Sequence, residues 1–169
     1  MQISTGAIDY NTAIRQAVKK LSESGVRQIN YESGRSNEVY AATRRAVITS
    51  VHQMTEEMTK QNMNKLIPDK ESQYVEVTSH FPCRPSHLSF QGRVFKVVGS
   101  EPGYPNLEEA TQLGSGSGLK GVNCRHDYYP FIPQISVRAY SDKELEDMER
   151  KSKETFSYED KEYTPYEAM

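Results

Sequence analysis

The sequence is poor in cysteine and contains no long apolar run. Cys83 and Cys124 are the only cysteines in the 169 residues, too few for the disulfide framework of a small secreted domain. No apolar run reaches the roughly 20 residues that a membrane-spanning helix needs. The first segment, "MQISTGAIDYN", lacks the basic and apolar regions of a signal peptide. These absences predict free thiols in a chain that is made in the cytoplasm.

The sequence also lacks a large excess of charge. Its 21 Lys and Arg residues nearly balance its 23 Asp and Glu residues, for a net charge of -2. Proteins that coat nucleic acid or an anionic membrane usually carry a strong positive charge. Two short segments, "RRAV" and "KLIPDK", add local positive charge, but acidic residues lie near them. Contact with DNA is therefore a secondary hypothesis, and no membrane is expected as a partner.

The sequence does contain regular apolar periodicity. Its length fits one ordinary domain, since domains most often have roughly 100–150 residues. Apolar residues at helical spacing predict a first helix over about residues 10–24, followed by Gly25. A second and longer helix follows Ser36, which can serve as its N-cap, and should end before Pro68. Each helix has one apolar face, so both need a partner in the fold.

Three segments alternate between apolar and polar residues, as half-buried strands do. They are "QYVEVTS" at 73–79, "GRVFKVV" at 92–98 and "QISVRAY" at 134–140. Between the last two, residues 99–121 are rich in glycine, proline and serine, which predicts an extended loop with one turn of helix at "NLEEA". A loop of this length is more often functional or mobile than idle.

The C-terminal part begins with "SDKE", a capping box that opens a short charged helix. The tail could form a small hairpin around Asp160 and Lys161. We therefore predict an α+β fold in which two N-terminal helices pack on a small, mainly antiparallel sheet with long irregular loops. We expect one domain over 1–169, with a helical part at 1–68, a strand and loop part at 69–140, and a C-terminal helix and tail at 141–169.

The strongest chemical signal is a polar cluster in "SHFPCRPSH" and "NCRHDYYPF". Three of the four histidines and both cysteines lie between residues 80 and 126, whereas His52 lies in the long predicted helix and is more simply a surface or interhelical residue. One hypothesis is a zinc site, because imidazole and thiolate are ligands that zinc prefers. Its possible ligands are His80, Cys83, His87, Cys124 and His126. The spacing argues against it, because Cys124 and His126 would point to opposite sides of an extended strand.

Two enzymatic hypotheses use the same residues. Cys124 could be a nucleophile with His80 or His87 as its base. Alternatively, His80 and His87 could perform acid/base chemistry on a phosphodiester beside Arg84 and Arg125. The chain would then be a metal- or histidine-dependent hydrolase, such as a nuclease or a toxin-related domain, with the glycine-rich loop as a lid. Its catalytic residues would be His80, Arg84, His87, Arg125 and His126.

The structural alternative carries the most weight. In it, the two irregular segments cross and use side chains to satisfy buried backbone groups, for which arginine and histidine are well suited. It predicts that His80, Arg84, His87 and Arg125 bind backbone carbonyls, and it requires no metal or other cofactor.

These motifs make the sequence recognisable as a whole. The run "YVEVTSHFPCRPSHLSFQGRVF", the glycine-rich "GSGSGLKG" and the later "GVNCRHDYYPFIP" resemble the C-terminal half of the tailed-phage minor capsid protein 2 family. "INYESGRSNEVYAATRRAVITSVHQ" and "KEYTPYEA" resemble it too. A more distant likeness is to Mu F-type head morphogenesis domains. The family pattern falls on Ser79, His80, Arg84, Pro85, His87, Gln91, Gly92, Asn123, Cys124, Arg125, His126, Tyr128 and Pro130.

The resemblance implies a structural protein of the phage virion, made in the bacterial cytoplasm and acting in head assembly or in DNA packaging or ejection. Its partners would be other head proteins, such as the portal or the major capsid protein. No catalytic activity follows from it. In the family a small residue commonly stands where this chain has Cys83, which speaks against that thiol as a ligand. Family members are also longer at both ends, so the resemblance implies an excised domain or a truncated prophage product.

Overall fold

A computed structural model describes residues 8–168, apart from the side chain of Tyr10. The chain divides into two compact units, an N-terminal unit that ends at Thr55 and a C-terminal unit that begins at Glu56. Helices and small antiparallel sheets occur together, which confirms the predicted α+β class. The single domain over 1–169, with its three parts, stays a prediction.

The N-terminal unit combines a helix with a small hairpin. Helix α1 spans Tyr10–Glu23, close to its predicted bounds, and the Asp9 side chain caps it by accepting a hydrogen bond from the Thr12 amide. Strands β1 (Gln28–Asn30) and β2 (Ser36–Glu38) then pair antiparallel. Helix α2 follows at once over Val39–Leu66 and continues into the C-terminal unit.

The predicted role of Ser36 as the N-cap of the second helix is wrong. Ser36 lies in β2 opposite Asn30, and its hydroxyl donates to the Gln28 side chain at 3.3 Å. The helix begins only at Val39, because the preceding residues are held in the ladder with β1. Its end at Leu66 agrees with the limit expected from Pro68.

The C-terminal unit contains a three-stranded antiparallel sheet. Strands β3 (Tyr74–Val77), β4 (Val94–Lys96) and β5 (Tyr128–Phe131) lie in the order β4-β3-β5. The first two confirm predicted strands, with narrower bounds. Because β5 is an edge strand of this sheet, Pro130 can sit within it without removing a hydrogen bond that an inner strand would need.

The predicted strand at 134–140 is wrong, and β5 takes its place. Ile135 and Val137 alternate with polar residues as a strand would, but they are 76% and 90% exposed. Gln134 has a φ of 69°, and the amide of Ile135 donates to the Ile132 carbonyl, so the backbone turns here. The alternation therefore matched no buried face, whereas Tyr128 and Phe131 of β5 are both buried.

The core of the C-terminal unit forms around the inner strand. Val75 and Val77 of β3 are fully buried, and removing such apolar side chains from water is the main stabilising contribution to folding. Residues from helix, loops and strands complete this cluster: Met63, Phe90, Phe95, Leu107, Leu119, Cys124 and Tyr128.

The long loop at 99–121 has many exposed residues, but Leu107, Thr111 and residues 118–121 are buried. It contains helix α3 over Leu107–Thr111, the predicted helical turn, which Asn106 caps by accepting from the Glu109 amide. Leu119 and Lys120 at its end are almost fully buried. The Lys120 ammonium donates to Asp127 at 2.6 Å, which compensates for its burial. This packing does not suit a loop that opens as a lid.

The C-terminal helix and hairpin are both present. Helix α4 spans Asp142–Lys153 and begins with the predicted capping box of Ser141 and Glu144. Strands β6 (Phe156–Tyr158) and β7 (Lys161–Tyr163) form the predicted hairpin. Among the described residues, the helices are too short or too polar to cross a lipid bilayer.

We expect the substitution Asn106→Ala to destabilise the protein by about 1 kcal/mol, the usual effect of losing an N-cap. Asn106 also donates to the Gly99 carbonyl at 3.1 Å, so its loss also loosens the part of the loop that precedes α3. Denaturant unfolding measures the change. Asn62→Ala, at an exposed position of α2, is the control and should cause no loss, because alanine is the better helix former. Equal destabilisation by both variants would contradict this role of Asn106.

We expect Gly92→Ala to destabilise the protein by more than about 2 kcal/mol, from backbone strain and overpacking together. Gly92 has a φ of +66°, and a β-carbon there would lie 2.3 Å from a methyl carbon of Leu145 in α4. Gly99→Ala is the matched control, since Gly99 has a φ of +70° and nothing within 4 Å of such a carbon. Because of the contact with Leu145, we expect Gly92→Ala to lose more stability than Gly99→Ala. Equal losses of stability would disprove a role of this contact.

Candidate functional site

The pairing of β3 with β5 brings the two polar segments together. In this antiparallel pair Val77 lies opposite Tyr128, and beyond it the Thr78 amide donates to the Asp127 carbonyl at 2.8 Å. The chain that leaves β3 and the chain that enters β5 therefore meet at the same end of the sheet. The first segment carries His80, Arg84 and His87, and the second carries Cys124 and His126.

Three chemically reactive side chains meet at the centre of this contact, and we call them the His/Cys trio: His87, Cys124 and His126. The two Nδ1 atoms of the histidines are 3.2 Å apart. The Cys124 sulfur lies 3.7 Å from Nδ1 of His126 and 3.9 Å from Nδ1 of His87. The exposed fractions are 2% for His87, 2% for Cys124 and 0% for His126, so the trio is enclosed by protein.

The opposite ring nitrogens of both histidines face hydrogen-bond acceptors. Nε2 of His87 donates to the Ser117 carbonyl at 2.8 Å, and Nε2 of His126 donates to Oε1 of Gln91 at 3.1 Å. The same Gln91 oxygen accepts from the His80 amide, which fixes the orientation of the Gln91 amide group. In the neutral rings the protons are therefore on Nε2, and the two Nδ1 atoms carry the lone pairs.

His80 lies beside the trio. Its ring stacks on that of His126 with centroids 4.2 Å apart, and its Nδ1 donates to the Pro82 carbonyl at 3.0 Å. Its Nε2 is buried and has no hydrogen-bond partner among the described residues. Desolvation lowers the pKa of His80 and that of His87, because burial penalises the charged imidazolium.

Burial also changes the pKa values of the two cysteine thiols. Desolvation raises the pKa of Cys83 to about 11 and raises the pKa of Cys124. A cysteine nucleophile needs the opposite shift, because the thiolate is the reactive form. The burial of Cys124 thus gives no support to its role as a nucleophile.

Arg84 joins the two segments through the backbone. Its guanidinium donates to the Ser117 carbonyl at 3.2 Å and to the Val122 carbonyl at 2.9 Å. The Ser117 carbonyl therefore accepts from both Arg84 and His87. These bonds agree with the predicted network for His80, Arg84 and His87, but Arg125 is exposed and makes none of them. Sequence reasoning missed Ser117, because its contribution is a backbone oxygen and leaves no side-chain signal.

The expectation that Cys124 and His126 point to opposite sides of an extended strand is wrong. Asn123 has a φ of 57°, and the Cys124 amide donates to the Gly121 carbonyl in a turn. The strand begins only at Tyr128. Both side chains consequently face the same cluster, which removes the spacing argument against a metal.

The remaining residues of the predicted motif have varied positions. The Ser79 hydroxyl contacts the Met148 sulfur at 3.1 Å, whereas Asn123 is exposed in its turn. Tyr128 is buried, and its hydroxyl has no partner among the described residues. The structure therefore brings His80, His87, Cys124, His126 and Gln91 together, and Arg84 is joined to them through the Ser117 carbonyl.

Comparison with models of protein families gives a match to phage minor capsid protein 2 over residues 1–164. Curated proteins and solved structures give no match. The family match extends over nearly the whole chain. The restriction to the C-terminal half of that family and the likeness to Mu F-type domains stay predictions.

We expect Arg84→Ala to lower the free energy of unfolding by about 1–3 kcal/mol, because it removes the donors for two loop carbonyls. The exposed Arg125 offers a matched control in the same contact region, and Arg125→Ala should change stability by less than about 0.5 kcal/mol. Both values come from urea unfolding. A larger loss for Arg125→Ala than for Arg84→Ala would refute this account of the network.

Proposed function

Because the chain belongs to the phage minor capsid protein 2 family, we propose that this phage structural protein acts in head assembly or in the packaging or ejection of DNA. The observation that carries the proposal is the family match over residues 1–164. Membership of a capsid family indicates a place in the virion and contact with other head components. The portal or the major capsid protein is the specific partner that we propose.

The geometry of the polar cluster supports a structural role for it. A substrate would have to reach ring nitrogens of His87 and His126, which are 2% and 0% exposed. The same groups tie backbone segments together through the Ser117 carbonyl and Gln91. Buried hydrogen bonds of this kind fix one arrangement of irregular chain. We therefore do not propose the hydrolase alternative.

Support for a docking surface comes from a run of exposed apolar side chains in and after β5. Tyr129, Ile132, Ile135 and Val137 are 58%, 43%, 76% and 90% exposed. Single exposed apolar residues are ordinary, so the support comes from four of them following closely on one another in the chain. In a member of a capsid family, the occupant that we propose for this surface is another head protein.

The test is incorporation into phage particles. In the phage that encodes it, we expect the chain to be found by mass spectrometry in purified, nuclease-treated heads. Its absence from heads while it is abundant in the lysate would overturn the proposal. If heads that contain no DNA already contain the protein, a role in assembly is favoured. If a phage that lacks the protein forms heads at normal yield but does not fill them with DNA, a role in packaging is favoured.

The docking surface has its own variant. We expect the double substitution Ile135→Ser with Val137→Ser to lower incorporation at least several-fold without lowering the melting temperature, because both side chains are mostly exposed. Val98→Ser, at another exposed apolar position, is the control and should be incorporated normally. Normal incorporation of the double variant would exclude this surface, while the particle experiment would still stand.

A further inference from the structure

We propose that the His/Cys trio is a metal centre that holds one zinc ion through Nδ1 of His87, Nδ1 of His126 and the sulfur of Cys124. These three ligand atoms all lie within 4.8 Å of one another. The proposal concerns how the protein is held together. It does not depend on the role of the protein in the phage head.

The distances within the trio agree with tetrahedral zinc. With zinc–nitrogen bonds of about 2.0–2.1 Å and a zinc–sulfur bond of about 2.3 Å, two nitrogen ligands lie about 3.3 Å apart, and nitrogen and sulfur about 3.6 Å apart. The structure has 3.2 Å between the two Nδ1 atoms. It has 3.7 and 3.9 Å from these atoms to the Cys124 sulfur. Only small movements are needed to place one ion at bonding distance from all three.

The hydrogen bonds on the outer side of each ring prepare both histidines for a metal. Metal-binding imidazoles almost always donate their other N–H to a carbonyl, a carboxylate or water, which fixes the ring and its tautomer. Here the acceptors are the Ser117 carbonyl for His87 and the Gln91 side chain for His126. Both lone pairs are then directed into the trio. With one proton on each Nε2, neither Nδ1 donates to the other across 3.2 Å, and a cation between them would bind both lone pairs.

The ligand types and the enclosure select the kind of metal site. Imidazole and thiolate favour zinc and other soft transition metals over magnesium or calcium, which take oxygen ligands. An enclosed ion stabilises the fold, whereas a catalytic ion keeps an open position for substrate. Three ligands leave one position of a tetrahedral ion. The ring of His80 stacks on that of His126, and its buried Nε2 has no hydrogen-bond partner among the described residues, but His80 is not part of the group of ligand atoms that lie within 4.8 Å of one another.

The two buried cysteines provide a matched pair for the test. Cys83 and Cys124 are both nearly inaccessible and both free. Cys83, however, is not part of the group of ligand atoms that lie within 4.8 Å of one another, which contains His87, Cys124 and His126. A change at Cys124 should therefore remove a ligand, and the same change at Cys83 should not.

The experiment starts with the whole purified chain. Its zinc content is measured by elemental analysis, and the metal-free protein is then titrated with Co²⁺ and Zn²⁺. We expect about one equivalent of either ion, a thiolate-to-cobalt charge-transfer band in the near ultraviolet, and loss of that band when Zn²⁺ displaces Co²⁺. Refolding of a chelator-unfolded chain by Zn²⁺ would equally support the centre, because a structural metal couples binding to folding.

The variants assign the ligands. Cys124→Ser should abolish the charge-transfer band and weaken Zn²⁺ binding by more than about 100-fold, whereas Cys83→Ser should keep both near wild type. Gln91→Leu should weaken Zn²⁺ binding by about 10–100-fold and keep the band, because it releases His126 without removing a ligand. A wild-type chain that binds neither ion at one equivalent would overturn the proposal, whether or not a variant folds. So would a band that survives Cys124→Ser or disappears in Cys83→Ser.

Discussion

The pairing of β3 with β5 is the constraint on which the rest of the polar cluster depends. It places Thr78 against Asp127, so that two segments separated by a long loop continue side by side beyond the sheet. Both segments are irregular, and their backbone groups cannot be satisfied by a ladder. Side chains supply what the ladder does not, since buried polar groups left without partners are costly. Arg84 and His87 are the main examples, and both reach the same carbonyl of Ser117.

Burial determines what this cluster can do. In low-dielectric surroundings the charged forms of imidazole and thiol are disfavoured, which lowers the pKa of His87 and raises that of Cys124. Groups that stay neutral and inaccessible are poor acid/base catalysts for an external substrate. They are well placed, however, to hold segments of chain together, by hydrogen bonds or through a shared ion. That agrees with membership of a family of phage structural proteins.

The loop at 99–121 contributes both to the apolar core and to the polar cluster. Its glycines and serines suggest flexibility, yet its end is buried and contributes Leu119 to the core and the Ser117 carbonyl to the cluster. At Gly118 and Gly121 a β-carbon would lie 2.0 and 2.3 Å from backbone oxygens of the same loop. The glycines here allow the chain to pack closely against itself, which is a common use of glycine where two backbones approach.

The sequence by itself determined the features that depend on local chemistry. Apolar spacing predicted α1, β3 and β4, the capping box at Ser141 predicted α4, and the motif residues led to the correct family. Only the tertiary structure decided features that depend on distant partners. The alternation at 134–140 found no buried face, and Ser36 was held in a ladder with Asn30. The turn at Asn123 directed Cys124 and His126 to one side. Periodicity records which residues can be buried, whereas the partner that buries them, and the direction of each side chain in an irregular segment, are fixed only when the strands pair.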